Sequence, residues 1–511
     1  GMLMRGLTLG IAGAALIAAS GWAHADDADQ IKRGEYLSRV GDCNACHTAP
    51  GGKELAGGLK MDTPFGPIYT PNITPDKETG IGNWTDDQFY RAMHEGIGHK
   101  GEYLYPVFPF PWYTNVTRED ALAIKAYIFS TPPVHAEDKG NAFPFPFNIR
   151  EALLTWRTLF FKAGKPVQPA EGDQLARGKY IVEGLGHCGE CHNHRNVLGA
   201  SDWSGKYEGG EIEGWYAPNI TSDGKQGIGS WSEDSLVQFL KNGSAPGHGV
   251  ALGPMMETIN ESLKYLHDDD LHAIAVYLKS IKPEEKFANN TGDFDKKDAP
   301  GATAYLNHCS SCHGVEGKGV EGRIPALAQN GAVLAQGPQD VMRVILGGLA
   351  PAHGYGPMPA VGQSFSDEDV ALIANYVRNK FGNAAPANAS NKEIEDLRKE
   401  TPTVMAPQKI EDCGEPKVAE VKALVDDGDI KKLLDVKPTD RLQAIDDLMD
   451  KLKPAAVQNF DGALDDLIAS YCRAVVQKGD AKVADRAQQI GDFSVLAYSR
   501  AKSHLSLGEA K

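Results

Sequence analysis

The sequence predicts an all-α protein: three tandem small helical units followed by a fourth helical domain. Three observations lead there. The pentad Cys-x-x-Cys-His occurs three times, its first cysteines 145 and 121 residues apart, which is domain spacing and not solenoid spacing. Each pentad follows a short helical pattern, and each unit closes with an amphipathic one whose apolar residues fall at i, i+3, i+4 and i+7. Beyond residue 392 the helical periodicity continues without a fourth pentad.

Taken in order, the chain begins with an address. Arg5 supplies a positive charge, Gly6 to Gly21 is small and apolar, and Ala23-His24-Ala25 is a small-x-small cleavage site. Residues 1–25 therefore read as a secretory signal peptide, with the mature chain starting at Asp26. Export implies an oxidising compartment, the periplasm. No other stretch approaches the roughly 18 apolar residues of a membrane span. The net charge of −16 makes a nucleic-acid partner a poor expectation.

The first unit covers residues 26–165, the second 166–285 and the third 286–383. Their opening helices contain Gly34-Glu35-Tyr36-Leu37, Gly178-Lys179-Tyr180-Ile181 and Ala302-Thr303-Ala304-Tyr305-Leu306. Thr117-x-x-Asp120 and Ser366-x-x-Asp369 mark the starts of two closing helices. Units one and two also share Pro71-Asn72-Ile73-Thr74 with Pro218-Asn219-Ile220-Thr221, and a Gly-Ile-Gly-x-Trp segment ending at Trp84 and Trp231. The Asn-x-Thr triplets match a glycosylation sequon, but their recurrence favours a structural loop. Phe143, Phe145, Phe147, Trp156, Phe160 and Phe161 belong to an aromatic linker expected to pack on its own units. Residues 384–511 combine a linker with a helical domain bearing the stripe Leu442, Ile445, Leu448, Leu452. Its two cysteines, Cys413 and Cys472, are expected to form a disulfide.

The pentads carry the chemistry. They are Cys43-Asn44-Ala45-Cys46-His47, Cys188-Gly189-Glu190-Cys191-His192 and Cys309-Ser310-Ser311-Cys312-His313. In this arrangement two thiols add across the haem vinyl groups and the histidine places its imidazole on the iron, which predicts three covalently bound haem c groups. A thiol redox motif or a zinc ribbon would not repeat one Cys pair tied to one His three times. The sixth iron ligand is usually a methionine sulfur or a second imidazole. Met358, in Gly356-Pro357-Met358-Pro359, is assigned to the third iron. Met255, with Met256 as fallback, is assigned to the second. In the first unit the position matching Met255 is Phe108, which cannot ligate. His94 is the first choice there, His99 an alternative, and an open iron a third reading; Met93 matches Leu240 and is read as core.

The three pentads, the paired Pro-Asn-Ile-Thr and Gly-Ile-Gly-x-Trp segments and Tyr105-Pro106-Val107-Phe108-Pro109 resemble a known family. It is the three-haem cytochrome c subunit of periplasmic bacterial dehydrogenases, and the resemblance covers residues from about 30 to 382. It implies three cytochrome c folds that take electrons from a catalytic subunit of flavin, pyrroloquinoline quinone (PQQ) or molybdopterin type. They would pass them towards quinone or a cytochrome oxidase. Many relatives carry methionine where this chain has Phe108, and some end in a short membrane-binding tail where this chain has a helical domain. Membrane attachment through a partner stays open. No motif for a substrate cofactor occurs, so catalysis would sit on another chain. A free-standing carrier, or a ligand-binding haem protein at an open first iron, are the alternatives.

Overall fold

The computed structural model describes residues 27–202, 206–284, 294–349, 355, 358–401, 410–414, 418–479 and 483–507. The stretch read as a signal peptide lies outside them. Helix dominates these residues. The departure from a purely helical fold is three antiparallel ladders of two short strands: β1 (Lys60–Thr63) with β2 (Gly66–Tyr69), β3 (Gly210–Ile212) with β4 (Trp215–Ala217), and β5 (Ser244–Ala245) with β6 (Gly249–Val250). Segments of two to four residues are too short to show alternation in a sequence.

The first unit contains α1 (27–40), α2 (Cys43–His47), α3 (Asp86–Glu95), α4 (Phe110–Tyr113) and α5 (Arg118–Ser130). A connector with α6 (Leu153–Phe160) leads to the second, made of α7 (Gln174–Glu183), α8 (Gly189–His192), α9 (Glu233–Asn242), α10 (Gly253–Glu261) and α11 (Asp268–Ser280). The third holds α12 (Ala302–His308), α13 (Ser310–His313), α14 (Gly331–Leu334), α15 (Gln339–Gly347) and α16 (Asp367–Asn379), followed by α17 (Asn391–Glu400). The last part is α18 (Ala419–Leu424), α19 (Asp427–Leu434), α20 (Arg441–Gln458), α21 (Phe460–Lys478) and α22 (Val483–Leu505). Thr117 and Ser366 cap α5 and α16 as expected, their hydroxyls accepting from the N–H groups of Asp120 and Asp369.

The opening and closing helices of each unit cross at a glycine. A Cβ on Gly34 would lie 1.8 Å from the Ala123 carbonyl oxygen, one on Gly178 1.9 Å from that of Ala273, and one on Gly301 2.4 Å from that of Leu372. No side chain fits there, so glycine is what lets the two backbones meet. The same tyrosine position, Tyr127, Tyr277 and Tyr376, closes the crossing from the other side.

Units one and two share one apolar core, in which Leu37, Val40, Trp112 and Ile124 run into Ile181, Leu185, Leu271 and Ile274. Polar contacts across their junction come in exchanged pairs. Arg33 binds Asp120 within unit one and Arg177 binds Asp270 within unit two. Tyr36 then donates to Asp270, and Tyr180 to Asp120. Asn115 donates to the Glu183 carbonyl, and Ser262 to that of Arg39. This is the pattern of two like units related by an approximate two-fold. The third unit has its own core around Tyr305, Leu346, Val370 and Ile373. It meets the second through the Tyr216 N–H on the buried Asp340 carboxylate (2.8 Å) and Gln336 on Gln226 (2.6 Å).

Within residues 384–511, α17 packs on the third unit. Ile394 and Leu397 of α17 lie in the third unit's core, and Arg398 binds Asp367 and the carbonyls of Gly362 and Phe365. The linker is anchored too: buried Arg378 donates to the Pro386 carbonyl and to Asn388. Its short side chains let it lie against the third unit. The separate helical domain is thus α18–α22, whose core contains Leu448, Leu452, Leu464, Leu467 and Phe493. The Cys413–Cys472 disulfide forms and ties the 410–413 turn to α21. The aromatic linker divides: Trp156 and Phe161 pack edge-on against buried Phe110, while Phe145 and Phe147 stay exposed.

Candidate haem-binding sites

Each pentad histidine sits in a helix of four or five residues, and each makes the same bond. His47 Nδ1 lies 2.8 Å from the Pro71 carbonyl oxygen, His192 Nδ1 2.7 Å from that of Pro218, and His313 Nδ1 3.1 Å from that of Pro325. A carbonyl only accepts, so Nδ1 carries the proton and Nε2 keeps its lone pair for a metal. Burial holds all three imidazoles below the usual histidine range, which favours the neutral, ligating form.

Different chain paths deliver the three prolines. In units one and two a hairpin, β1–β2 or β3–β4, precedes Pro71 or Pro218, and an Asx turn follows: the N–H groups of Thr74 and Thr221 donate to the side chains of Asn72 and Asn219. These Asn and Thr side chains are buried, so the repeated triplet is a structural loop and not a glycosylation site. In the third unit a tight turn closed between Val320 and Ile324 brings Pro325 back. The proline carbonyls were not anticipated from the sequence. The repeated Pro-Asn-Ile-Thr was the only signal, and the third unit lacks it.

The six pentad cysteines form no disulfide. Burial pushes the thiols of Cys43, Cys46, Cys188, Cys191 and Cys309 up to about 12, and that of Cys312 upward as well. Thiols held in that state are poor redox nucleophiles, which need thiolate. Half-buried cysteine pairs next to an imidazole with a free Nε2 fit covalent haem c, which the two thiols would hold as thioethers and Nε2 would ligate.

The distal candidates are placed as follows. Met255 lies in the first turn of α10, packed against the shared core. Met358 pairs with Leu349 through both main-chain hydrogen bonds, which fixes its backbone; Gly356 and Pro357 lie outside the described residues. Phe108 stands edge-on to Tyr113 at 5.4 Å and packs on the same core. His94 is half-buried on α3, stacked on Tyr90, with Nδ1 3.0 Å from the Thr114 carbonyl and Nε2 left free. His99 stacks on Trp84 as His248 does on Trp231, so it has a counterpart in the methionine-bearing unit and is not a substitute peculiar to unit one. Met93 is buried in the core with Phe89. Among the described residues, no cluster of three or more His, Cys, Asp or Glu marks another metal site.

The family model for cytochrome c matches residues 299–380, the third unit. Over 404 residues the chain is 39 % identical to the gluconate 2-dehydrogenase cytochrome c subunit of Pantoea cypripedii, covering 74 % of this chain and 91 % of that subunit. This chain belongs to the family of cytochrome c subunits of dehydrogenase complexes. The same likeness extends to the cytochrome c subunit of the quinone-dependent alcohol dehydrogenase of Gluconacetobacter polyoxogenes, 37 % identical over 77 % of this chain and 89 % of that one. The fructose dehydrogenase cytochrome subunit of Gluconobacter japonicus is 39 % identical over 72 % of this chain and 82 % of its own. Members of the cytochrome c family hold haem c covalently, in accord with the cysteines and histidines described above. No helix among the described residues is long and apolar enough to cross a membrane.

Proposed function

We propose that this chain is a tri-haem electron-transfer subunit: it accepts electrons from a partner dehydrogenase that oxidises an alcohol, aldehyde or sugar, and relays them towards the respiratory chain. The observation that carries the reading is the threefold recurrence of one arrangement, a half-buried cysteine pair followed by a histidine whose Nδ1 is bound to a proline carbonyl. Bound haem c supplies reversible one-electron transfer at iron.

The chain's own residues do the rest. Cys43 and Cys46, Cys188 and Cys191, and Cys309 and Cys312 anchor the three groups. His47, His192 and His313 present Nε2, held in that tautomer by Pro71, Pro218 and Pro325. Met255 and Met358 would hold the second and third irons through sulfur, and His94 the first through nitrogen. Sulfur raises the potential relative to imidazole, so unit one is the low-potential point of entry. The shared core of units one and two keeps their two sites at a fixed separation, as outer-sphere transfer requires. The partner is a catalytic subunit of flavin, PQQ or molybdopterin type, the downstream acceptor a quinone or a cytochrome oxidase, and the setting the periplasm after export by residues 1–25.

The test is a haem count by alkaline pyridine spectrum and intact mass. Wild type should carry three haems, and C43S/C46S, C188S/C191S and C309S/C312S two each. A wild-type count below three, or a double variant that loses none, overturns the reading.

A further inference from the structure

The helical domain α18–α22 is seated on one particular face of the third unit. The turn that delivers Pro325 to His313 also carries Arg323, which is only 4 % exposed. Its Nη1 donates to Asp465 at 2.9 Å and its Nη2 to Asp461 at 3.0 Å, both on α21. Its guanidinium lies over the Tyr498 ring of α22, 4.5 Å from the centroid. Val320, in the same turn, packs into the helical domain's core, and Tyr498 Oη donates to the Glu321 carbonyl. On the other side, α22 lies against the residue after Met358. A Cβ on Gly491 would come within 2.3 Å of Pro359 Cγ. The helix continues along residues 361–364.

The domain therefore touches, at once, the turn on the histidine side of the third site and the loop on its methionine side. A body that spans both lies across the edge of whatever is held between them. Electron exchange between proteins needs a close approach at such an edge.

We propose that the α18–α22 domain is an intramolecular cap on the third unit, occupying the face through which that unit would exchange electrons with another protein, so that docking there requires the cap to swing away. This rests on the tri-haem reading. The contact is built to be reversible: Asp461 and Asp465 are 69 % and 54 % exposed, so one side of the ionic latch stays in water. Beyond the latch the contact includes Tyr498, the side chain of Val320 and the α22 backbone on Pro359, while the buried core of the domain is made of its own residues.

The test uses full-length chain with two variants. In G491A the helix is favoured, because alanine is a better helix former than glycine, yet the added Cβ has no room against Pro359. D461N/D465N removes the latch. Hydrogen exchange is read at 320–325 and 358–365, with α20 as an internal control. In parallel, the reduced protein is oxidised by a small blue copper protein or by ferricyanide, which needs no docking face. The expected result is lost protection in both segments, intact α20, and a rise in the copper-protein rate of about tenfold or more, in proportion to the uncapped fraction. The ferricyanide rate should change far less. Exposed segments with an unchanged copper-protein rate overturn the proposal, as does full protection in both variants. A haem count on the same samples separates this failure from failure of the tri-haem reading.

Discussion

Tyr36 of the first unit donates its hydroxyl to Asp270 of the second, and Tyr180 of the second returns the bond to Asp120 of the first at 2.6 Å. Each aspartate already binds an arginine of its own unit, Arg177 for Asp270 and Arg33 for Asp120, three residues before that unit's own tyrosine. Each carboxylate thus satisfies its own unit and grips the other. Despite burial, hydrogen bonds from Arg177 and Tyr36 hold Asp270 below the usual carboxylate range.

The two units should consequently unfold as one. Y36F and Y180F each remove a hydrogen bond to a charged group, for a loss of about 1.5–3 kcal/mol. The double variant should split the transition into two steps in denaturant melts followed by haem absorbance. A double variant that unfolds in one unshifted step contradicts the junction as described.

The first unit's distal ligand is read by spectroscopy. With His94 on the iron, reduced wild type is low-spin throughout and inert to carbon monoxide, whereas H94Q exposes one haem of three to it. F108M, which restores a sulfur at the position matching Met255, should raise the lowest of the three potentials in a redox titration. A wild type that binds carbon monoxide at one haem removes His94 from the site.

Asp340 gives a pH signature. Burial raises its carboxyl to about 7, against the opposing pull of the Tyr216 N–H and Arg378. In the unfolded chain it titrates near 4, so between about pH 4 and 7 the folded state holds the extra proton. Its contribution to stability is therefore largest in acid and shrinks as pH rises through that window. In D340N, where the amide oxygen still accepts from Tyr216, the stability difference from wild type should turn in the variant's favour as pH climbs from 4 to 8. Parallel pH profiles in urea melts would show that the carboxyl titrates normally.

The Cys413–Cys472 bridge closes a loop across a sequence separation of 59. C413A/C472A should lower the stability of the helical domain by about 4 kcal/mol. In calorimetry this moves the transition of α18–α22 and leaves that of the first two units in place. A shift shared equally by all transitions would mean that the domain is not an independent core.

Much of this was open to reading in the sequence because covalent haem chemistry demands fixed residue types at fixed spacing. The pentads, the capped starts at Thr117 and Ser366 and the cysteine pair of the last domain all follow from local rules. What stayed hidden depends on contacts distant in sequence or on main-chain atoms. The histidine partners are carbonyls, which any residue supplies, so Pro325 left no trace in the sequence. Tyr36 and Tyr180 lie in the opening helices, and only the junction shows that their hydroxyls are exchanged. The Ala- and Asn-rich stretch after Phe381 has the composition of a free linker, yet it is anchored by Arg378 on the third unit. Those short side chains are also what lets it lie flat.

We propose a three-haem subunit that works for a catalytic partner. Native mass spectrometry of the complex, purified gently from its source without a tag, tests it most directly. The expected result is a stoichiometric assembly in which this chain carries the mass of three haems and the partner carries flavin, PQQ or molybdopterin. A chain that always appears alone, or with fewer than three haems, contradicts it.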